Sequence, residues 1–576
     1  MFYNLGDFNE WDEGIMRRSY VADFETTTDE NDCRVWAMAV CDVYDVDNVV
    51  YGNTIEDFFA WCVNNKPCNV YFHNLAFDGA FIMDWLLNHE WTWVKDRKDV
   101  RDRTFTTLIS DMNKVYCIEV FYSRAFSVKI MDSLKIIPQS VARIAKTFGL
   151  EEGKGGIDYE AYREPGHELT DEEKEYIRKD VQIVAHAMRV FLDEGLTKMT
   201  AGSNALYGYK ELYGGAKRFR RRFPYIEEKE DALIRSAYRG GFTYVNPKYA
   251  GKKLGAGIVF DVNSLYPSVM AACDGQVLPY GEPLMFEGKP TPNEGYPLWV
   301  AVVTCCFKVK PDHIPCIQLK NSVMYDQREY LEDSKGEVTF TVTNVDWELM
   351  QQQYEVTRVR WHGGYLFQGM TVLFKRYVDK WVEVKNNATL EGNMGMREQA
   401  KLMLNSLYGK FGTRPEVCSR QPVLEGGVLR YRDLEPEHKD PVYIPVAVFV
   451  TAYARYKTIT SAQAVYDRFV YADTDSLHLI GTEIPDNLDV DQVRLGAWKH
   501  ESTFWQAKFI RPKCYIEYIE GSDTPNVKCA GMPYNVHDQV NIDNLKIGAV
   551  YHGKLYQKHV PGGIVLVPGD MKIREQ

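Results

Sequence analysis

Two acidic turns bounded by apolar runs, some 200 residues apart, limit what this chain can fold into more than any other feature. GIVFDVNSLYPSVM (257–270) reads as a buried strand running into a helix, with Asp261 at the strand's end. RFVYADTDSLHLIG (468–481) reads as two apolar strands joined by a turn that carries Asp473 and Asp475. A hairpin turn of Asp and Thr is a common structural device and accounts for one carboxylate. It gives no reason for Tyr471, Ser476 or the distant Asp261.

A second carboxylate set lies nearer the N-terminus. Residues 20–24, 35–41 and 68–73 read as short strands, and 169–196 as a long helix opened by a Thr170/Glu173 capping box. Together they suggest an α/β domain that ends near 195–200, with 200–215 as the join. Asp23 and Glu25 are two residues apart in a strand and share a face; Tyr176 and Asp180 are four apart on the helix and share another. Asp78 follows Asn74-Leu75-Ala76-Phe77. Four carboxylates and a tyrosine can hold two divalent metals about 4 Å apart, one activating water and one steadying a leaving oxygen. In a chain with 80 acids single DxE pairs arise by chance, so the ordered set is what carries weight.

Between the two acidic turns, MREQAKLMLNSLYGKF (396–411) reads as a helix. Arg397, Lys401, Asn405 and Tyr408 are spaced 4, 4 and 3 and form one stripe on it. Two cations, an amide and a ring in a row fit a triphosphate, a sugar and a base; taken alone, an exposed basic face with a tyrosine fits as well.

At 576 residues the prior is roughly four structural units. With 45% hydrophobic and 26% charged residues, disorder, collagen and disulfide miniproteins are excluded. No apolar run approaches the ~20 residues of a membrane helix, and the acidic, aromatic first 20 residues do not read as a secretory signal. The 12 cysteines contain no CxxC pair and read as reduced core thiols. Net charge is −12, but residues 1–200 hold 22 Lys+Arg against 36 Asp+Glu and residues 201–576 hold 46 against 44, so the acid excess sits in the first third. Just after that shift, Lys217-Arg218-Phe219-Arg220-Arg221-Arg222-Phe223 suits either a phosphate backbone or a bland amphipathic surface helix.

The first carboxylate set resembles the DxE, NxxFD and YxxxD motifs of the DEDDy 3′→5′ proofreading nucleases. DVNSLYPS, KLMLNSLYG and YADTDS resemble motifs A, B and C of the family B DNA polymerases, in that order. Lys513-Cys514-Tyr515 resembles the family's primer-contacting KxY, Tyr238-Arg239-Gly240-Gly241 its template-binding YxGG link, and Thr451–Arg455 its TxxxR-like segment. The resemblance implies an α/β and α+β multidomain fold: an RNase H-like exonuclease domain followed by a right-hand polymerase of palm, fingers and thumb with two insertions. It implies Asp23, Glu25, Asp78 and Asp180 as exonuclease metal ligands, with Tyr176 positioning water and Asn74 and Phe77 gripping a single-stranded 3′ end. It implies Asp261 and Asp475 as polymerase metal ligands supported by Asp473, with two Mg²⁺ per site and Mn²⁺ as a substitute. Lys401 steadies the leaving pyrophosphate, Tyr266 blocks a 2′-hydroxyl and Tyr408 packs on the base, in a pocket that Arg397 and Asn405 complete. Arg455, Tyr238, Gly240, Gly241, Lys513 and Tyr515 are implied as DNA ligands.

Because both activities fit into 576 residues, with over 120 between motifs A and B, the chain is most similar to the terminal-protein-primed polymerases of small tailed phages. Ser133-Leu134 resembles that branch's single-strand and terminal-protein ligand motif, and Lys154-Gly155-Gly156-Ile157 its Kxxh motif, whose lysine assists the exonuclease. The implied division is exonuclease 1–200, palm 201–272, first insertion near 273–374, fingers 375–411, second insertion near 412–445, palm 446–529 and thumb 530–576. The implied partners are primer-template DNA, dNTPs and a terminal protein docking on the first insertion. The implied state is a monomer in the cytoplasm of an infected bacterial host, with no membrane association. The second insertion holds Arg414, Arg420, Arg430 and Arg432 but also Glu435 and Glu437, so its charge does not by itself predict a DNA clamp. A conventionally primed polymerase and a nuclease-only enzyme are the alternatives; the latter leaves the second carboxylate set and the Arg397 stripe idle.

Overall fold

The computed structural model describes residues 17–150, 156–159, 161–319, 326 and 328–575. The N-terminal domain is a mixed eight-stranded sheet. Its strands are β1 (Arg18–Thr26), β2 (Val35–Asp42), β3 (Val49–Gly52), β4 (Cys68–Phe72), β5 (Thr92–Trp93), β6 (Thr104–Ile109), β7 (Val115–Phe121) and β8 (Ser127–Asp132), in the order β3-β2-β1-β4-β8-β7-β6-β5. β1 pairs antiparallel with β2 and parallel with β4, which pairs parallel with β8. Helices α1 (Ile55–Asn65) and α2 (Leu75–Asn88) cover one face; α3 (Val141–Phe148) and α4 (Asp171–Asp193) lie on the other side. The capping box at Thr170 and Glu173 is formed, so α4 starts where its sequence places it.

The expected join is helical: α5 (Ala201–Leu212), α6 (Gly215–Arg222) and α7 (Glu228–Ser236) link the domains. The basic run is α6 itself, anchored by buried Phe219 and followed by buried Phe223. The palm begins with β9 (Thr243–Val245), β10 (Gly257–Val262) and α8 (Leu265–Met270). The first candidate insertion is a four-stranded sheet of β11 (Leu278–Phe286), β12 (Leu298–Val309), β13 (Val338–Thr343) and β14 (Tyr354–Met370), with α9 (Asn344–Gln353). Two antiparallel helices follow, α10 (Lys375–Leu390) and α11 (Met394–Phe411).

The second candidate insertion contains two small ribbons: β15 (Glu416–Val417) with β18 (Glu437–His438), and β16 (Arg420–Glu425) with β17 (Val428–Asp433). Two of its arginines are neutralised within the ribbon, Arg420 by Asp433 and Arg432 by Glu425. The buried helix α12 (Ile444–Ala464) leads to β19 (Phe469–Asp473), β20 (Ser476–Ile480), β21 (Trp498–Arg511), β22 (Cys514–Ile519) and β23 (Asn526–Cys529). The palm sheet runs β23-β22-β21-β10-β20-β19-β9.

The last hairpin, β24 (Val550–Val560) and β25 (Gly563–Lys572), packs at both of its ends. Its base shares a core with β22 and β23, while Val560, Ile564 and Val565 at its tip enter the exonuclease core beside Phe81. Lys558 pairs with Glu30, and Tyr431 of β17 meets His559 edge-on. This hairpin, the β16–β17 ribbon and the N-terminal domain therefore close on one another. Among the described residues no helix is long and apolar enough to cross a membrane.

Candidate functional site: two carboxylate centres

The first centre lies on β1 and α4. One carboxylate oxygen each of Asp23, Glu25 and Asp180 lie within 4.8 Å of one another. Asp78, in the first turn of α2, is buried beside them. Burial, together with Asp78, Glu25 and Asp180 as neighbours, pushes the Asp23 carboxyl well above its ordinary range. Burial likewise raises Asp78 to about 7. A pocket of acids with oxygen donors only has the chemistry of a hard divalent-cation site. Tyr176 donates to or accepts from the Tyr159 hydroxyl at 2.5 Å above these acids.

The second centre is built by pairing β10 between β20 and β21. Asp261 stands opposite Ser476 on one side and Lys499 on the other. The Val262 amide donates to the Asp475 carbonyl at 2.8 Å, and Thr458 of α12 donates to the Thr474 carbonyl at 2.7 Å, so strand and helix together hold the acidic turn. Burial and the Asp475 and Glu501 charges push Asp261 up to about 7, against the pull of Lys499 and Lys401. Asp475 is also raised by burial. Asp473 is occupied differently: it accepts from Thr243 Oγ1 at 3.0 Å, from the Tyr471 hydroxyl at 3.3 Å and from Lys513 Nζ at 2.8 Å.

Backbone strain collects at these sites. Asn74, Ser264, Thr474 and Lys513 all have left-handed φ, at 84, 54, 62 and 57°, a conformation that costs side-chain-bearing residues of order 1–3 kcal/mol. Gly241 explains how one of them is accommodated, since a Cβ there would come within 2.6 Å of the Thr474 side chain. Tyr266 of α8 stacks on Tyr408 of α11 at 4.1 Å, and α11 also carries the Arg397, Lys401 and Asn405 stripe.

A family model described as DNA polymerase type B, organellar and viral, matches residues 60–165 and 161–492. The chain is 44% identical over 582 residues to the DNA polymerase of Bacillus phage phi29, covering 97% of this chain and 99% of that protein. It is 32% identical over 582 residues to that of Streptococcus phage Cp-1, covering 96% and 98%. The structure of phi29 DNA polymerase in a ternary complex with primer-template DNA and incoming nucleotide superposes with a TM-score of 0.90 at 42% identity, covering 97% of this chain and 100% of that one. The chain belongs to the protein-primed family B DNA polymerases. It is a DNA-directed DNA polymerase with a 3′→5′ exonuclease, as its two centres require.

Within this polymerase, two of the residues expected to touch DNA are buried and hydrogen-bonded to other parts of the chain. Ser133 is 0% exposed. Its hydroxyl lies 3.0 Å from the Phe72 carbonyl and 2.9 Å from His73 Nδ1, while His73 Nε2 donates to the Gln139 carbonyl at 2.7 Å. Ser133 thereby links His73 to the end of β4. Arg455 is 2% exposed, pairs with Asp346 of α9 at 2.6 Å and donates to the Arg239 and Gly240 carbonyls. A buried guanidinium so occupied ties the YxGG segment to the first insertion. Asn74 and Lys513 are exposed, and Phe77, Leu134, Tyr238 and Tyr515 are half-buried. Gly240 is open, with nothing within 4 Å of where a Cβ would stand. Lys154 lies outside the described residues.

Other residues join the centres without a sequence signal. Tyr159 and Asp132 flank the exonuclease acids; Asp132 Oδ1 accepts from the Asn74 and Leu134 amides at 3.1 and 2.9 Å and thereby fixes the start of α2. Glu501 and Lys499 enter the polymerase centre from β21. Lys385 of α10 comes close to Arg397, Lys401 and Lys499, and burial with those charges lowers its pKa. Helical spacing could have found Lys385 only once α10 was known to lie against α11.

Proposed function

We propose that this polymerase replicates a linear phage genome by starting on a protein hydroxyl, extending with strand displacement and correcting with its exonuclease. The observation that supports the two-centre reading is that Asp23, Glu25, Asp78 and Asp180 belong to the N-terminal sheet and its helices, whereas Asp261 and Asp475 sit at the end of β10 and in the β19–β20 turn of another sheet. Asp261 and Asp475 would hold a pair of Mg²⁺ ions at the polymerase centre, and the four acids of the first domain another pair, with Mn²⁺ able to replace them. When bound, such ions supply Lewis acidity and orient the reacting oxygens.

The protein's own residues do the rest. Lys385, Arg397, Lys401 and Lys499 form a cationic rim for the triphosphate, and Lys401 steadies the leaving pyrophosphate. Tyr266 and Tyr408, stacked on each other, form a flat floor on which sugar and base settle, and Tyr266 excludes a 2′-hydroxyl. Lys513 and Tyr515 guide the primer end, with Asp473 holding the lysine in place. In the exonuclease, Tyr176 positions the attacking water, Asn74 and Phe77 grip the unpaired 3′ end, and Lys154 assists. The domain division given by the sequence is kept: exonuclease to residue 200, insertions near 273–374 and 412–445, thumb from 530. A monomer acting in the host cytoplasm suffices for this scheme.

Protein priming is supported by family membership and by a substantial sheet inserted after motif A. Incubation with dATP, Mg²⁺ and partner proteins should yield a nucleotide linked covalently to protein. Deleting part of 300–360 should reduce that transfer far more than extension of an ordinary primer. Equal loss of both, from a folded protein, contradicts docking on the first insertion.

A further inference from the structure

Most of the basic run that opens the polymerase half is not used by either centre. In α6, Arg220 is structural: it donates to the Val442 carbonyl at 3.0 Å and lies 3.7 Å over the Tyr225 ring. Arg218, Arg221 and Arg222 instead turn to a groove of about 650 Å³, where Arg376 from the start of α10 meets them. A neighbouring groove of about 550 Å³ continues past Arg376 to Lys375 and Lys380, so the two form one trough along α10. Tyr213 lies in its floor, with Arg222 5.2 Å over the ring.

Four arginines converging on one hollow repel one another unless something neutralises them. Among the described residues none of the four makes an ion pair; Arg376 donates to the Leu212 carbonyl at 3.2 Å, and Glu211 lies in the same groove. The helix dipole accounts for basic residues in the last turn of α6, but not for Arg218 or Arg376. The protein as a whole carries −12, so this concentration of positive charge does not follow from its composition. Arginine forks beside an aromatic ring suit a phosphodiester backbone and its bases. Arg376 is nine residues from Lys385 on α10, about 14 Å at 1.5 Å per residue. A single strand outside the duplex at the polymerase centre reaches that distance within a handful of nucleotides.

We propose that the trough formed by Arg218, Arg221, Arg222 and Arg376 binds the backbone of single-stranded DNA outside the primer-template duplex. This rests on the polymerase reading above. Two strands have that chemistry: the template ahead of the centre and the strand displaced from it.

The test is binding of the full chain and of R218A/R221A/R376A to three substrates as a function of salt. One has a template overhang just long enough to seat a nucleotide, one a long overhang, and one a long overhang covered by a downstream strand with a displaced 5′ tail. Loss of three phosphate contacts lowers the log–log salt slope by about 2. The expected slope loss is on the long substrates only. A loss on the open overhang alone assigns the trough to the template, a loss on the tailed substrate alone assigns it to the displaced strand, and a loss on both assigns it to either strand. The charge-keeping variant R218K/R221K/R376K should keep the wild-type slope, which separates charge from folding. An unchanged slope on both long substrates, or an equal loss on the minimal one, overturns the proposal. Extension of the minimal substrate by the alanine variant reports separately on the polymerase centre.

Discussion

The two centres solve the same electrostatic problem in different ways. Around Asp23 the neighbouring charges are Asp78, Glu25 and Asp180, all acids. Around Asp261 the acids Asp475 and Glu501 are answered by Lys499 and Lys401. The exonuclease centre thus relies on external cations to ionise, whereas the polymerase centre carries fixed cations that also face a triphosphate. The difference teaches that the charges nearest Asp23 are acids that leave room for cations, whereas the acids nearest Asp261 already have cations beside them.

The comparison breaks most visibly at Lys401. Lys401→Ala should lower the extension rate about 10²–10³-fold, the scale of losing one preorganised charge at a developing anion. Degradation of single strands should be unchanged; a matching fall in exonuclease rate would mean the cation serves both centres. Next in size is sugar selection. Tyr266→Val should raise incorporation of ribonucleotides relative to deoxyribonucleotides by roughly 10–100-fold, read from single-nucleotide competition. Unchanged discrimination with normal extension would move the steric gate away from the Tyr266–Tyr408 stack.

The smallest effect sharpens the comparison through stability. Asp78 has a folded pKa near 7, raised from its ordinary value. A raised carboxyl binds its proton more tightly in the folded state, so without metal it costs stability as pH rises from about 4 to 7. Asp78→Asn removes that cost. Thermal unfolding without metal should show the variant more stable above pH 7, the gap opening as pH rises from about 4 to 7, and nearly equal to wild type at pH 4. Added Mg²⁺ should stabilise the wild type more than the variant. A stabilisation independent of pH would mean the carboxyl is not what strains the site.

How far the sequence disclosed this arrangement depends on the range of the interaction. Asp23 with Glu25, Tyr176 with Asp180, and the Arg397 stripe follow a strand or helix period, and those periods hold in β1, α4 and α11. The Thr170 capping box is likewise local. Asp132, Glu501 and Lys385 come from elements whose neighbours are set by sheet order and helix packing, and no local period points to them. Ser133 and Arg455 sit in recognisable motifs, but their side chains turn inward, because Phe72 and His73 claim one and Asp346 the other. The thumb hairpin's contact with the exonuclease core joins residues more than 500 apart, beyond any local pattern.

The most direct test of two separate centres uses one labelled primer-template, with and without dNTPs, on three proteins. Wild type should shorten the primer without dNTPs and extend it with them. Asp23→Ala/Asp78→Ala should extend but not shorten, and Asp475→Ala should shorten but not extend, each lost activity falling by on the order of 10³-fold or more. Loss of both activities in either variant, with the fold intact by thermal unfolding, would contradict the account.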